Sequence, residues 1–258
     1  MKNIKKIISA FICLTVILSL IPTMAFALPD DISSEFFYYK KSDGTVAITG
    51  YKGNESSLVI PDTIDGYRVT SISEEAFIFN HNLTSVVLSD SVTSIGRAAF
   101  YACDKLADIT IPDSVTAIGD SAFYNTAYYK NSDNWQNDVL FIGVHLICAK
   151  DSISGDYTVP SGTKTIADGA FWGCDDLISV TIPESVTSIY EDALKYCDGL
   201  TEISVASDNP VYSSQDGVLF NKDKTQILTF PQGRTGEYVI PDSIEIINDF
   251  DFTFCALT

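Results

Sequence analysis

The apolar residues of this chain fall into one phrase that is written repeatedly. Leu106, Ile109 and Ile111 alternate with polar neighbours, a proline follows, Val115 and Ile118 come next, and an Ala122-Phe123 pair closes the unit. The same order returns at Leu177, Val180 and Ile182, at Val186 and Ile189, and at Ala193-Leu194. Alternation of apolar and polar residues over so short a run predicts a strand with one buried face. Pro112 ends it, because proline has no N–H to offer a ladder. Val115 and Ile118 predict a second short extended piece, and Ala122-Phe123 a helical turn with the phenylalanine facing inward.

The position of Pro112 serves as a ruler, giving copies at Pro61, Ser89, Pro112, Pro160, Pro183 and Pro241. The intervals 89 to 112 and 160 to 183 are each 23 residues, and 61 to 89 is five longer because of Asp65-Gly66-Tyr67-Arg68-Val69. No single unit buries its own apolar residues, so the units must stack, with parallel strands about 4.8 Å apart over one continuous core. The predicted fold class is an α/β repeat solenoid of short parallel strands with helical turns. Its core carries a ladder of Phe77, Phe100, Phe123, Phe171 and Phe252, with Leu194 substituting once.

Other segments do not fit the phrase. Val139 to Ile142, then Gly143, then His145 to Cys148 predicts an inserted hairpin near 135–150; Val218 to Phe220 and Ile227 to Phe230 around a polar turn predict another near 211–231. Asp43-Gly44 between two β-prone runs predicts a third hairpin, and residues 28–58 are expected to cap the solenoid of 59–258. Residues 1–27 read as a secretory leader: Lys2, Lys5 and Lys6, an apolar run from Ile7 to Ile21, and Ala25-Phe26-Ala27 for cleavage. That run is shorter than the ~18–20 residues that span a bilayer, and no later run is longer, so no membrane insertion is expected after cleavage. Losing three lysines takes the formal charge from −18 to −21, which excludes nucleic acid and anionic lipid as partners.

The cysteines change little. Cys103, Cys174, Cys197 and Cys255 stand three residues after the closing aromatic or leucine, where Asn80 and Thr126 stand in other copies. A place open to Cys, Asn or Thr calls for a small buried group that donates a hydrogen bond, so free thiols are expected rather than bridges. Cys13 lies in the leader and Cys148 stands alone.

The phrase Ile-Pro-Asp-Ser-Val-Thr-x-Ile, followed by Ala-Phe, two residues, Cys and Leu, resembles the BspA-like class of bacterial leucine-rich repeats. Asp43-Gly44-Thr45 to Gly50-Tyr51, Ile60 to Tyr67, Asp216 to Thr225 and Val139 to Gly143 also resemble phrases of that family. The resemblance implies a leucine-rich-repeat stack and a secreted or surface-displayed protein, adhesin-like, with no catalytic residue. Leu257 arrives one residue early after Cys255. The expectation is a short secreted form or a piece of a longer adhesin, and the uncapped C-terminal end is expected to pair two copies end to end.

Candidate chemistry is sparse. Ser161-Gly162-Thr163-Lys164, Ser207-Asp208-Asn209 and Arg234-Thr235-Gly236 follow the order of the three motifs of penicillin-recognising serine enzymes. That mechanism needs its serine at the start of a buried helix, whereas Ser161 follows Pro160 in a turn, so repeat register explains the match. His81 and His145 have no second ligand at metal spacing. Asp249 with Asp251, and Asn131 to Asn134, do not match a calcium loop. No catalytic, cofactor-binding or metal site is expected.

Two surfaces remain for a partner, an extracellular protein or glycan. Outward strand positions, namely Ser85 with Val87, Asp108 with Thr110, Ser179 with Thr181 and Glu202 with Ser204, predict a small polar face. The residues after the core phenylalanines are Ile78, Tyr101, Tyr124, Trp172, Lys195 and Thr253. Tyr101, Tyr124 and Trp172, near Tyr128, Tyr129 and Trp135, predict an exposed aromatic row. The function expected is non-enzymatic binding through these faces, the alternative being a structural spacer without a ligand of its own.

Overall fold

The computed structural model describes residues 35–247, 252 and 256–257. The leader, Cys13, Asp249, Asp251, Thr253 and Cys255 lie outside the described residues. Each coil of the stack presents two strand faces and one face of turns. On the first face, strands Ser57–Val59, Ser85–Val87 and Asp108–Thr110 pair in parallel, and Gly155–Thr158, Leu177–Ile182 and Glu202–Val205 form a second such set. The register places Ser57, Ser85 and Asp108 in one row, and Asp156, Ser179 and Glu202 in another. On the second face, Val46–Tyr51, Tyr67–Ile72, Ser94–Ile95 and Ala117–Ile118 pair in parallel, as do His145–Ala149, Thr165–Ile166 and Ser188–Ile189.

The third face corrects the expectation of helical turns. Each coil makes successive turns closed from residue i to i+3, as in Ala99 N–H to Gly96 O, Tyr101 N–H to Ala98 O and Cys103 N–H to Phe100 O. The alternate N–H groups point sideways to the next coil: Phe77 to Ala99 O, Phe79 to Tyr101 O, Phe100 to Ala122 O, Ala102 to Tyr124 O. A helix is prevented because two residues four apart on either side of each core phenylalanine adopt left-handed backbone. These are Glu75 and Phe79, Ala98 and Ala102, Ser121 and Asn125, and Gly169 and Gly173. The turns therefore form a third hydrogen-bonded ladder between coils, and the backbone of this face is satisfied by its neighbours. Among the described residues α-helix is confined to Ala127–Lys130, which the 3-10 turn Ser132–Asn134 follows.

The coils approach closely where a glycine turns the corner into this face. A Cβ on Gly96 would stand 2.4 Å from the backbone nitrogen of Glu74, and one on Gly119 2.4 Å from that of Arg97. The five extra residues after Pro61 make a hairpin, Thr63–Ile64 pairing antiparallel with Tyr67–Ile72 around Asp65 and Gly66 at positive φ. At the N-terminal side Phe36–Lys40 pairs antiparallel with Val46–Tyr51, whose other edge is the first rung of the second face. One insertion folds as Trp135–Gln136, Val139–Ile142 and His145–Ala149, the other as Tyr212–Gln215, Val218–Asn221 and Ile227–Thr229, both antiparallel.

The core runs along the stack. Phe77 and Phe100 are stacked at 4.9 Å and Phe100 and Phe123 at 5.4 Å between ring centroids, all three buried. Phe171 is buried against Tyr157 at 5.8 Å, and Leu194 is buried in the same cluster. Phe252 is only half-buried: it packs on Phe230 at 5.0 Å in a smaller cluster of Val218, Phe220, Ile227 and Phe230.

Candidate functional site

The outward residues of the turn face form an array of rings. Phe79 meets Tyr101 edge-on at 5.9 Å, Tyr101 stacks on Tyr124 at 5.5 Å, Tyr124 lies 4.8 Å from Tyr129, and Tyr129 meets Trp135 at 5.2 Å. Trp172 forms a second group with Tyr196 at 3.9 Å. The structure thus brings Tyr101, Tyr124 and Trp135 into one series and places Trp172 across a recess from Tyr124. Phe79, Tyr124 and Trp172 are 56%, 45% and 53% exposed, so packing of the core does not account for them. Tyr129 and Trp135 are fixed from beneath, Thr126 Oγ1 accepting from the Tyr129 N–H at 3.0 Å and Trp135 Nε1 donating to Tyr129 O at 2.8 Å.

Sequence reasoning missed Phe79 and Tyr196. Both stand two residues after the core position in left-handed backbone, with φ of 57° and 58°. Bulky side chains seldom adopt that conformation. Ala102, Asn125 and Gly173 hold the equivalent place in other coils, so the large aromatics were visible as departures from a small-residue position.

The polar face is different. Ser85 Oγ donates to Ser57 Oγ at 2.7 Å, Ser179 Oγ to Asp156 Oδ1 at 2.7 Å, and Ser204 Oγ to Glu202 Oε1 at 2.9 Å. Asp108 and Glu202 are exposed at its surface, and Ser85 and Ser179 are half-buried. Hydrogen bonds between coils for Ser85 and Ser179, and within its own strand for Ser204, account for these serines without a ligand.

Between Tyr124 and Trp172 lies a recess of about 180 Å³. Its rings are Phe123, Tyr124, Tyr129 and Trp172, and its carboxylates are Asp120, Asp151 and Asp168. Asp168 Oδ1 is buried without a hydrogen-bond partner. Burial raises the Asp168 carboxyl above its ordinary value, with Asp192 and Asp120 adding repulsion and the backbone N–H groups of those two residues opposing. Burial likewise pushes the Tyr129 hydroxyl up to about 12, so it remains a donor.

The other candidates have structural roles. Cys103 and Cys197 donate to Phe77 O and Phe171 O at 3.0 Å, one coil back, and Cys174 donates to Lys150 O at 3.7 Å. Thr126 donates within its own coil to Phe123 O at 2.9 Å, whereas Asn80 uses its carbonyl to accept from the Asn82 and Leu83 N–H groups. Cys103, Cys148, Cys174 and Cys197 are free. Ser161 is exposed beside Glu184, and Lys164 pairs with Asp113 at 2.6 Å rather than with Ser161. Asn209 is buried, donating to Pro183 O and Val186 O and accepting from the Val211 and Tyr212 N–H groups. His81 is exposed against Asp104, and His145 is buried on Pro112 O at 3.2 Å. Asn131 and Asn134 bond to Asp133 N–H and Tyr128 O, and no three potential ligands cluster for a metal among the described residues. Nor is any described helix long and apolar enough to cross a membrane.

Stacked coils with an apolar ladder in the core, parallel strands on two faces and hydrogen-bonded turns on the third define a leucine-rich-repeat class of solenoid. Residues 70–145 and 148–238 match the BspA type leucine rich repeat region in 6 copies. The chain belongs to this family. Among solved structures it is similar to a leucine rich repeat protein of T. pallidum, at 29% identity over 68% of this chain and 80% of that one, with a TM-score of 0.43. It is also similar to a leucine rich cell surface protein of Faecalibacterium prausnitzii, at 26% identity over 86% of this chain and 67% of that one, with a TM-score of 0.38. No curated protein matches it.

Proposed function

We propose that this is an extracellular, non-enzymatic binding protein, secreted or held at the cell surface, that engages a protein partner through the ring array of its turn face. The observation that carries the reading is the run Phe79, Tyr101, Tyr124, Tyr129 and Trp135, with Trp172 and Tyr196 beyond the recess. Tyrosine and tryptophan supply large contact area at small cost in side-chain entropy, and they dominate binding hot spots. Two of the rings sit on left-handed backbone that smaller residues occupy elsewhere in the stack, so they are kept in spite of the fold. The two polar rows, one through Ser85 and Asp108 and the other through Ser179 and Glu202, are a second, weaker surface for the same partner.

The test is binding of the purified protein to a panel of immobilised extracellular matrix proteins, beside the variant Tyr101→Ala/Tyr124→Ala/Trp172→Ala. The expected result is saturable binding by the wild type and loss in the variant, with the thermal melt preserved. Equal binding by both would remove the ring array from consideration.

A further inference from the structure

We propose that the recess between Tyr124 and Trp172 receives one basic side chain, an arginine or lysine, of the protein partner. The inference rests on the binding function proposed above and names the chemistry of one of its contacts.

The recess exists because the first insertion interrupts the stack. Tyr101 and Tyr124 belong to successive coils and stack directly, but the coil of Phe171 takes as its neighbouring rung the hairpin strand His145–Ala149, which pairs with Thr165–Ile166 on one edge and with Val139–Ile142 on the other. Its Ala149 N–H donates to Ala170 O at 2.7 Å, and the strand brings no outward ring. A gap is left where one ring would have covered the next. Its floor is kept open by Gly169, at φ of 62°, where a Cβ would lie 3.2 Å from Asp120 Oδ1 and 3.8 Å from Trp172 Cβ.

The size decides between ligand classes. At about 180 Å³ the recess is smaller than the ~300–1,000 Å³ that enclose a small molecule, and it suits the end of one side chain. The lining decides the charge. Asp120, Asp151 and Asp168 converge on it, and none of the described residues that line it is basic. The nearby Lys150 is engaged by Asp138 at 2.8 Å and lies over the Trp135 ring. The backbone N–H groups of Asp120 and Asp192 act on the Asp168 carboxyl, yet its Oδ1 is buried without a hydrogen-bond partner, an arrangement that a further donor would relieve. Aromatic faces beside carboxylates attract a guanidinium or ammonium group both through the ring quadrupole and through direct charge. An overall charge of −18 also favours approach of a basic partner.

The protein is titrated with the tripeptide acetyl-Gly-Arg-Gly-amide and read by tryptophan fluorescence. The same peptide with citrulline, a neutral isostere, and the uncharged sugar maltotriose are run beside it. Asp120→Asn and Asp168→Asn test the recess, Asp156→Asn on the strand face is the control, and melting curves establish that each variant folds. The expected result is a saturable change with the arginine peptide, weakened about tenfold or more in either recess variant by loss of a charge-assisted contact and unchanged in the control. An equal response to citrulline, binding of maltotriose instead, or no response to about 10 mM arginine peptide overturns the proposal. If the matrix-panel binding survives while the arginine peptide fails, this inference alone falls. If the panel binding fails while the peptide binds, the site stands and the broader reading falls.

Discussion

Phe100 is the position at which the stacking argument can be tested most directly. Its ring is fully buried, 4.9 Å from Phe77 at an interplanar angle of 8° and 5.4 Å from Phe123 at 5°. Truncation of a buried phenylalanine costs about 3–5 kcal/mol in lost transfer energy and residual cavity. A favourable ring pair adds about 0.5–1.5 kcal/mol beyond burial, and Phe100 has two. Phe100→Ala should therefore lie near the top of the range, about 5 kcal/mol, and Phe123→Ala about 1 kcal/mol below it because Phe123 has one stacked partner. Phe100→Leu keeps most of the buried apolar surface, and Leu194 shows that leucine fits this place in a later coil, so its cost should be about 1–2 kcal/mol. Urea unfolding followed by far-ultraviolet circular dichroism measures all three, with unchanged slopes as the condition for comparing them. A Phe100→Ala protein within about 1 kcal/mol of wild type, or a leucine variant as unstable as the alanine variant, would refute the account of a ladder in which each ring is held by the coils on both sides.

Further outcomes follow from the buried polar groups. Asn209→Ala leaves Pro183 O, Val186 O and two N–H groups without their partner, and should lower the unfolding free energy by at least about 1–3 kcal/mol in the same assay. Burial holds the His145 imidazole below its ordinary 6.5, reinforced by Lys164 and opposed by Pro112 O and Asp113. The unfolded chain takes up a proton as the pH falls through about 6.5 while the folded protein resists it, so stability present above that pH is lost below it. His145→Gln should flatten that part of the stability profile between about pH 7 and 5. Burial pushes the Cys103 thiol up to about 11 and those of Cys148, Cys174 and Cys197 up to about 12. In a readout that resolves each site, Cys103, Cys174 and Cys197 should be silent to a thiolate-selective disulfide reagent at pH 8 in the folded protein and react on unfolding; fast labelling of any of these three without denaturant would contradict their burial.

The strands were legible because their signal is local. Ile109 and Ile111, or Val180 and Ile182, alternate with outward residues, and the 23-residue interval between Ser85 and Asp108, or between Ser179 and Glu202, is the register the coils adopt. The turns were not legible from one coil. Ala122-Phe123 has good helix formers, and only the contact with neighbouring coils makes Ser121 and Asn125 left-handed so that alternate N–H groups reach sideways. Gly169 and Gly173, four apart around Phe171, carried the clue. The individual rings of the site were legible as well, except Phe79 and Tyr196, which sit on those same left-handed positions. The recess was not, since it arises where an insertion takes the place of a coil, and no single segment contains it.

A repeat supplies its own standard of comparison, and that separates residues that stacking explains from residues that it does not. Cys103, Cys174 and Cys197 stand at one recurring position and bond to backbone carbonyls, so stacking explains them. Phe79, Tyr196 and Asp168 depart from what stacking favours: two bulky rings on left-handed backbone, and a carboxylate whose buried oxygen has no donor. A residue that costs stability and makes no contact the stack needs is a candidate for the proposed binding role. For Asp168 the cost has a measurable sign. Its carboxyl titrates above the ordinary value because of burial and the charges of Asp192 and Asp120, so the folded state gains stability as the pH falls from neutral into the range where Asp168 takes up its proton. Asp168→Asn should make that gain permanent, raising the melting temperature at pH 7 while weakening the arginine peptide. A variant that loses both stability and binding would instead make Asp168 a structural residue, and would leave the two rings alone to mark the site.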